Sequence, residues 1–427
     1  MDLLKILFIY YFSLEVNEML LLYICLCSFC FYLSLKKYKK VINILSLYIF
    51  IWLLNVLLYE LKLLQYNNLE IKTWLILCAN IIIFSFGCLI PKKNFLSCLD
   101  DKEIDESTLL KIIIISCIIA SIGIIPNLLM LISKYGYNIL KSTTYIYADN
   151  LNGNGIKAIP YLGSLSMFAL LLTSTYITNY GFKKILVLPL VLVILDILPS
   201  GSRGNLILAL LLLLIPYIFN NKSYNTSRIK SIVSISLMIV GLLTFYSIFT
   251  YNRRPNTTIE PYVSETMVEI NNYVPIAHKS YLYFTSPLGV LNEYLKEPRF
   301  LFGINTFSVE RNFLNKFGLD VKYEATQPAY NIPMRTNVGT WLKDFCEDFT
   351  IPGMFIVIFG VSWFFDGIYM KSRKYINSQI LFNLTGMLIY LSWFYFYLRQ
   401  GSVTIVIIAT IVLLVYMSLR NKHLKRN

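Results

Sequence analysis

The chain has 427 residues, 56% of them apolar, and a mean hydropathy of +0.61, well above the roughly 45–50% apolar content of soluble domains. A water-soluble fold of this length would leave much of that hydrocarbon in large adhesive patches, which excludes a soluble enzyme or binding domain. The net charge of +14 lies in short clusters between apolar runs, not in one stripe with interleaved stacking aromatics, which excludes a nucleic-acid binder.

The first apolar run, residues 3–14, is followed by Glu15 and Glu18 and has no small-residue cleavage site. It reads as an uncleaved interfacial segment, too short to span. Eleven further runs approach the about 20 residues that a helix needs to cross the hydrocarbon: 19–35, 41–58, 74–90, 110–132, 159–177, 185–198, 205–219, 232–249, 352–370, 380–397 and 403–419. The expected fold class is therefore an all-α polytopic membrane protein with about eleven transmembrane helices, ten to twelve in range. Pro126 should kink the fourth.

Basic residues occupy every second gap: Lys36, Lys37, Lys39 and Lys40; Lys92 and Lys93; Lys183 and Lys184; Lys222, Arg228 and Lys230; Lys371, Arg373 and Lys374; Arg420, Lys422, Lys425 and Arg426. By the positive-inside rule these gaps are cytoplasmic, which puts the N-terminus outside and the C-terminus inside a bacterial plasma (inner) membrane. Three regions result: residues 1–251 with spans one to eight, a large outer loop at 252–351, and residues 352–427 with the last three spans and a basic tail. The loop carries ten Lys/Arg and eleven Asp/Glu, with Tyr273, Ile276, Tyr281, Phe284, Leu288, Leu291 and Leu295 at helical spacing. It should fold as short helices over the membrane face.

Seven of the eight cysteines lie in the first 120 residues, and the two histidines are His278 and His423. Neither a disulfide framework nor a zinc site is expected, and no cofactor. Chemistry is expected from arginines at headgroup depth. Arg203 sits in the tight turn Ser200-Gly201-Ser202-Arg203-Gly204, and Arg399-Gln400-Gly401 repeats the arrangement between the last two spans. Two such guanidiniums suit bidentate binding of a pyrophosphate; a pair with Asp196, or an interface anchor, is the plainer reading of each. The large loop adds Arg253, Arg254, Arg299 and Arg311, and His278 beside Lys279-Ser280-Tyr281 as a candidate base. Asp348 precedes Phe349-Thr350-Ile351-Pro352-Gly353, where acids and Pro also suit a helix start.

The sequence resembles the oligosaccharide repeat-unit polymerases that assemble O-antigen and capsular polysaccharide. The resemblance spans about residues 160–415 and rests on the order of several motifs: Gly201–Gly204, Tyr281-Leu282-Tyr283-Phe284-Thr285-Ser286-Pro287, Phe302-Gly303-Ile304-Asn305-Thr306-Phe307, Asp348–Gly353 and Arg399–Gly401. The chain departs from the pattern at Thr350, where a Gly often follows the Phe. The resemblance implies transfer of a growing glycan from undecaprenyl diphosphate to an incoming lipid-linked repeat unit at the outer face. In that reading Arg203, Arg399, Arg253 and Arg254 bind diphosphate, Tyr281, Arg299 and Arg311 bind glycan, and His278, Glu265 or Asp348 is the base. Partners would be the lipid-linked donor and acceptor, membrane lipids, a chain-length regulator and a flippase. An O-antigen ligase, kept open by His278, and a transporter of the same lipid-linked unit are the rival readings; no repeat between halves supports the transporter.

Overall fold

The computed structural model describes residues 18–92, 104–151, 154, 155, 159, 161–200, 203–220, 227–252, 260–275, 277–321, 327–394 and 397–426. Among these the chain is helical nearly throughout, with one two-residue hairpin, β1 (Tyr330–Asn331) and β2 (Arg335–Thr336), paired antiparallel. Six helices are long and apolar enough to cross a membrane: Glu18–Tyr38, Ile71–Leu89, Glu106–Tyr135, Ile235–Asn252, Trp341–Ser372 and Gly401–Leu419. Ile44–Glu60 and Gly204–Phe219 are apolar but shorter. An all-α, multi-pass membrane protein follows from these helices, because in hydrocarbon only intrahelical bonding satisfies every backbone group of an isolated segment. The run at 3–14 lies outside the described residues. Pro126 lies inside one unbroken helix, Glu106–Tyr135.

The chain divides into two compact units. Unit 1 takes residues 1–91, 255–366 and 389–399; unit 2 takes 92–254, 367–388 and 400–427. Most of the stretch 252–351, from residue 255 on, falls in the same unit as the first three described helices.

In unit 1, α1 (Glu18–Tyr38), α2 (Ile44–Glu60) and α3 (Ile71–Leu89) pack together. Asn43 starts α2 with a reciprocal cap, its Oδ1 accepting from Leu45 and Ser46 N while Ser46 Oγ accepts from Asn43 N, which satisfies donors a helix start otherwise leaves open. Helices in lipid gain no hydrophobic drive from meeting, so close packing and polar bonds must hold them. Tyr48 stacks on Phe84 at 3.6 Å and donates to Asn80 Oδ1 at 2.9 Å. A Cβ at Gly87 would stand 1.9 Å from Ser362 Oγ, so only glycine permits that approach.

The 255–366 stretch is bonded onto the connection between α2 and α3. Its helices are α10 (Glu265–Tyr273), α11 (Ala277–Lys296) and α12 (Ser308–Lys316), counting after the six helices of unit 2. Gln65 N donates to Tyr262 O, Tyr66 and Thr285 hydroxyls meet at 2.7 Å, and Asn292 Oδ1 accepts from Glu70 N and Thr73 Oγ1. Tyr281 donates to Leu58 O, and Asn55 Nδ2 to Phe284 O at 2.7 Å. Residues 285–292 of α11 are buried on every side, so this helix is core, not a surface cover.

Unit 2 holds α4 (Glu106–Tyr135), α5 (Thr143–Leu151), α6 (Leu165–Tyr180), α7 (Leu188–Ser200), α8 (Arg203–Asn220) and α9 (Ser227–Asn252). Its centre is α6, buried from Ser166 to Thr178 and packed against α4, α7 and α8. Polar bonds tie α6 to residues of α14 (Ile376–Tyr390): Asn383 Nδ2 donates to Thr175 Oγ1 at 2.9 Å and Asn179 Nδ2 to Gln379 Oε1 at 2.6 Å. The last helix, α15 (Gly401–Arg426), also packs on α6.

Candidate functional site

One helix, α13 (Trp341–Ser372), builds the site. Thr340 starts it, its hydroxyl accepting from Lys343 N at 3.4 Å, and Trp341 N donates to Ser392 O at 2.8 Å. At Thr350 the backbone turns to φ 64°, ψ 174°, so the charged part, 341–349, and the apolar part that follows are two helices meeting at a kink. Residues four apart share a helix face, which sets Lys343 with Glu347 and Asp344 with Asp348. All four are buried.

Buried charges persist only when paired and hydrogen-bonded, and here each has its partners. Lys343 Nζ lies 2.8 Å from Glu347 Oε2 and 3.5 Å from Asp344 Oδ1. Glu347 Oε1 also accepts from Arg299 Nε at 2.8 Å, and Oε2 from Asn305 Nδ2 at 2.7 Å. Arg399 Nη1 donates to Asn305 Oδ1 at 2.8 Å and lies 3.8 Å from Asp344 Oδ1. Gln327 Nε2 donates to both Asp344 oxygens, at 2.8 and 2.6 Å. Gln327 Oε1 is buried and has no hydrogen-bond partner among the described residues. Two carboxylates, Asp344 and Glu347, thus face three cations, Lys343, Arg299 and Arg399. Two aromatic rings, Tyr294 and Tyr330, lie with their centroids 5.9 Å from Lys343 Nζ. Burial pushes the Tyr294 phenol well above its usual range, so it stays a neutral donor, to Arg299 O at 3.1 Å.

Asp348 holds a turn. Its Oδ1 accepts from Asn305 N at 3.0 Å, its Oδ2 from Thr306 N at 2.6 Å and Thr306 Oγ1 at 2.7 Å. Those bonds fix the segment 302–307, and so aim Asn305 at Arg399. Asp348, Arg299 and Arg399 are therefore brought together. Arg311 is set against the same turn, its Nη2 donating to Phe302 O at 2.9 Å.

Tyr281, His278 and Glu265 stand elsewhere in unit 1. Tyr281 is buried, its hydroxyl engaged by Leu58 O and, at 3.2 Å, Leu63 N, which gives it a packing role against α2. His278, at the start of α11, has its Nδ1 3.0 Å from Asn271 Oδ1. Glu265 is exposed in the first turn of α10, behind the Ser264 cap. Arg203 opens α8 in unit 2, and its side chain lies outside those described; so do Arg253 and Arg254. Asn305 lay inside the 302–307 motif, while Lys343, Asp344, Glu347 and Gln327 carried no expected role of their own. The i,i+4 repeat of Lys343–Glu347 was the one available signal, and it reads equally as a solvated helix start.

Fold and site together define an all-α multi-pass membrane protein with a largely buried ionic cluster at the start of one long helix. Compared with known protein families, characterised proteins and solved structures, the chain matches none.

Proposed function

We propose that the chain polymerises polyprenyl-diphosphate-linked oligosaccharide repeat units, as the motif order suggests. One observation carries this reading. Three segments that the resemblance rests on, 302–307, 348–353 and Arg399, are far apart in sequence yet meet at Asn305, which donates to Asp348 through its backbone and accepts from Arg399 through its side chain. An arginine and a carboxylate on one scaffold suit glycosyl transfer. The acceptor hydroxyl gives its proton to a carboxylate, its oxygen bonds the donor's anomeric carbon, and the bond from that carbon to the lipid diphosphate breaks with its electrons on the leaving phosphate. Asp344 is the carboxylate nearest Arg399 and takes the base role in this proposal; Asp348 acts by positioning Asn305. Gln327 Oε1 supplies an acceptor for a sugar hydroxyl. Arg203 is not part of the proposed site, and Arg399 carries the diphosphate role.

The proposed topology has eleven spans, an outer N-terminus, a cytoplasmic tail and the 252–351 stretch outside, supported by the alternating basic gaps. The test is genetic. Deletion in the native host should leave glycans one repeat long, and restoring the gene should restore long chains. Arg399→Ala and Asp344→Asn, present at normal membrane levels, should leave short glycans. Full-length polymer from both variants contradicts the site. Long chains accumulating on the carrier lipid after deletion would instead mark a ligase, and unflipped units on the cytoplasmic leaflet a transporter.

A further inference from the structure

The segment from Phe300 to Leu319 exposes large apolar side chains although it contains only a nine-residue helix, α12, far too short to span. Phe302 and Phe317 are 74% and 70% exposed, and Phe313 and Leu319 are also open to the surroundings. Helical spacing sets Phe313, Leu314 and Phe317 on one face of the final turns, with Asn312 and Asn315 opposite. Glu310 lies on the apolar side one turn earlier, in the first turn, where a carboxylate suits the helix dipole. Gly318, at φ 83°, ends the helix, and Asn315 clamps the returning chain through Val321 O at 2.7 Å and Val321 N at 2.6 Å.

A second feature points the same way. Phe302 is held at φ 50°, a region bulky residues rarely enter. The turn is braced on both sides, by Arg311 Nη2 on Phe302 O and by Asp348 on Asn305 and Thr306. The result of the bracing is a phenyl ring turned outward, in contact with Phe300 at 3.9 Å between ring centroids. Strained positions cluster at functional sites, and clustered exposed apolar side chains mark a contact with an apolar partner or medium.

We propose that Phe302, Phe313 and Phe317 form an interfacial anchor that dips into the headgroup–acyl boundary of the bilayer this chain spans. Short amphipathic helices with Phe and Leu on one face and basic residues beside them bind there. The occupant is an anionic lipid surface: α12 carries Arg311 and Lys316 against Glu310 alone. Because Asn305 and Thr306 lead directly into α12, the anchor holds the ionic cluster at headgroup level. The inference stands on the exposed aromatics and does not require the polymerase reading.

The experiment uses the full chain in nanodiscs of phosphatidylethanolamine and phosphatidylglycerol, with p-benzoyl-phenylalanine replacing Phe313 or, separately, Phe317. After irradiation, mass spectrometry should find covalent lipid adducts on the peptide at both positions. A cross-linked dimer at these positions would assign the face to a second copy, and an unreacted ketone would assign it to water. Either result overturns the anchor, whatever the polymer assay shows.

Discussion

Glu347 accepts hydrogen bonds from Lys343, Arg299 and Asn305 at once, so its loss strands buried positive charge. Glu347→Ala should destabilise the protein by about 3–5 kcal/mol, the usual result of removing one partner of a buried pair. Glu347→Gln, which keeps two of the hydrogen bonds as an acceptor, should cost less. Combining Lys343→Met with Glu347→Leu should cost less than the two single losses added, since the double change leaves no unpaired charge between those positions. Thermal unfolding of the purified variants in detergent measures both comparisons. Equal melting temperatures for wild type and Glu347→Ala would mean the ionic cluster is hydrated and open. These residues were hidden in the sequence for a physical reason. Acids and a lysine in a first helical turn serve a solvated helix start just as well, and only the partners at 299, 305 and 399 distinguish the two cases. Asn305 pairs with Arg399 across 94 positions, which no local pattern reveals.

At the scale of elements, the kink in α13 ties the ionic cluster to the apolar helix after it. Thr350 stands at φ 64°, ψ 174°, a conformation suited to glycine and worth of order 1–3 kcal/mol of strain in other residues. Thr350→Gly should therefore stabilise the fold, by about 1 kcal/mol after the greater chain freedom of glycine is subtracted. A higher melting temperature with unchanged helix content is the expected readout, and a lower one would mean that the Thr350 side chain holds the kink. Gly353 has the opposite sensitivity. A Cβ there would come within 2.8 Å of Phe349 Cβ, so Gly353→Val should destabilise by overpacking, about 1–3 kcal/mol. The sequence departure at Thr350 thus marks a position whose backbone is of the glycine type. Reading apolar runs found a described helix at each, although only six described helices are long and apolar enough to cross a membrane. It cut α13 short, placing the start at 352, because hydropathy drops where charges are buried in pairs. The apolar spacing of Tyr281, Leu288 and Leu295 did foretell a helix there, but not that its neighbours would be buried on all sides as well.

For the whole molecule, composition and apolar runs were enough to read an all-α membrane chain, because in lipid the backbone has few other options. The grouping into units was not legible. Residues 255–366 join the first helices through bonds such as Tyr66–Thr285 and Asn292–Thr73, which are side-chain matches between segments more than 200 positions apart. Topology is directly measurable. Single cysteines placed at Glu269 and at Lys371 in intact cells should differ in reactivity toward an impermeant maleimide, with only the first labelled. Labelling of Lys371→Cys alone would reverse the orientation and remove the outer-face reading.

The transfer from a lipid diphosphate proposed for Arg399, oriented by Asn305, is tested best in a purified system. Protein in proteoliposomes, given isolated lipid-linked repeat units as the only sugar source, should build chains of many repeats. Arg399→Lys keeps the charge but not the planar fork, and should lower that rate by roughly 10-fold or more, with Arg399→Ala lower still. Chain growth by Arg399→Ala at the wild-type rate would leave Arg399 with no part in the transfer.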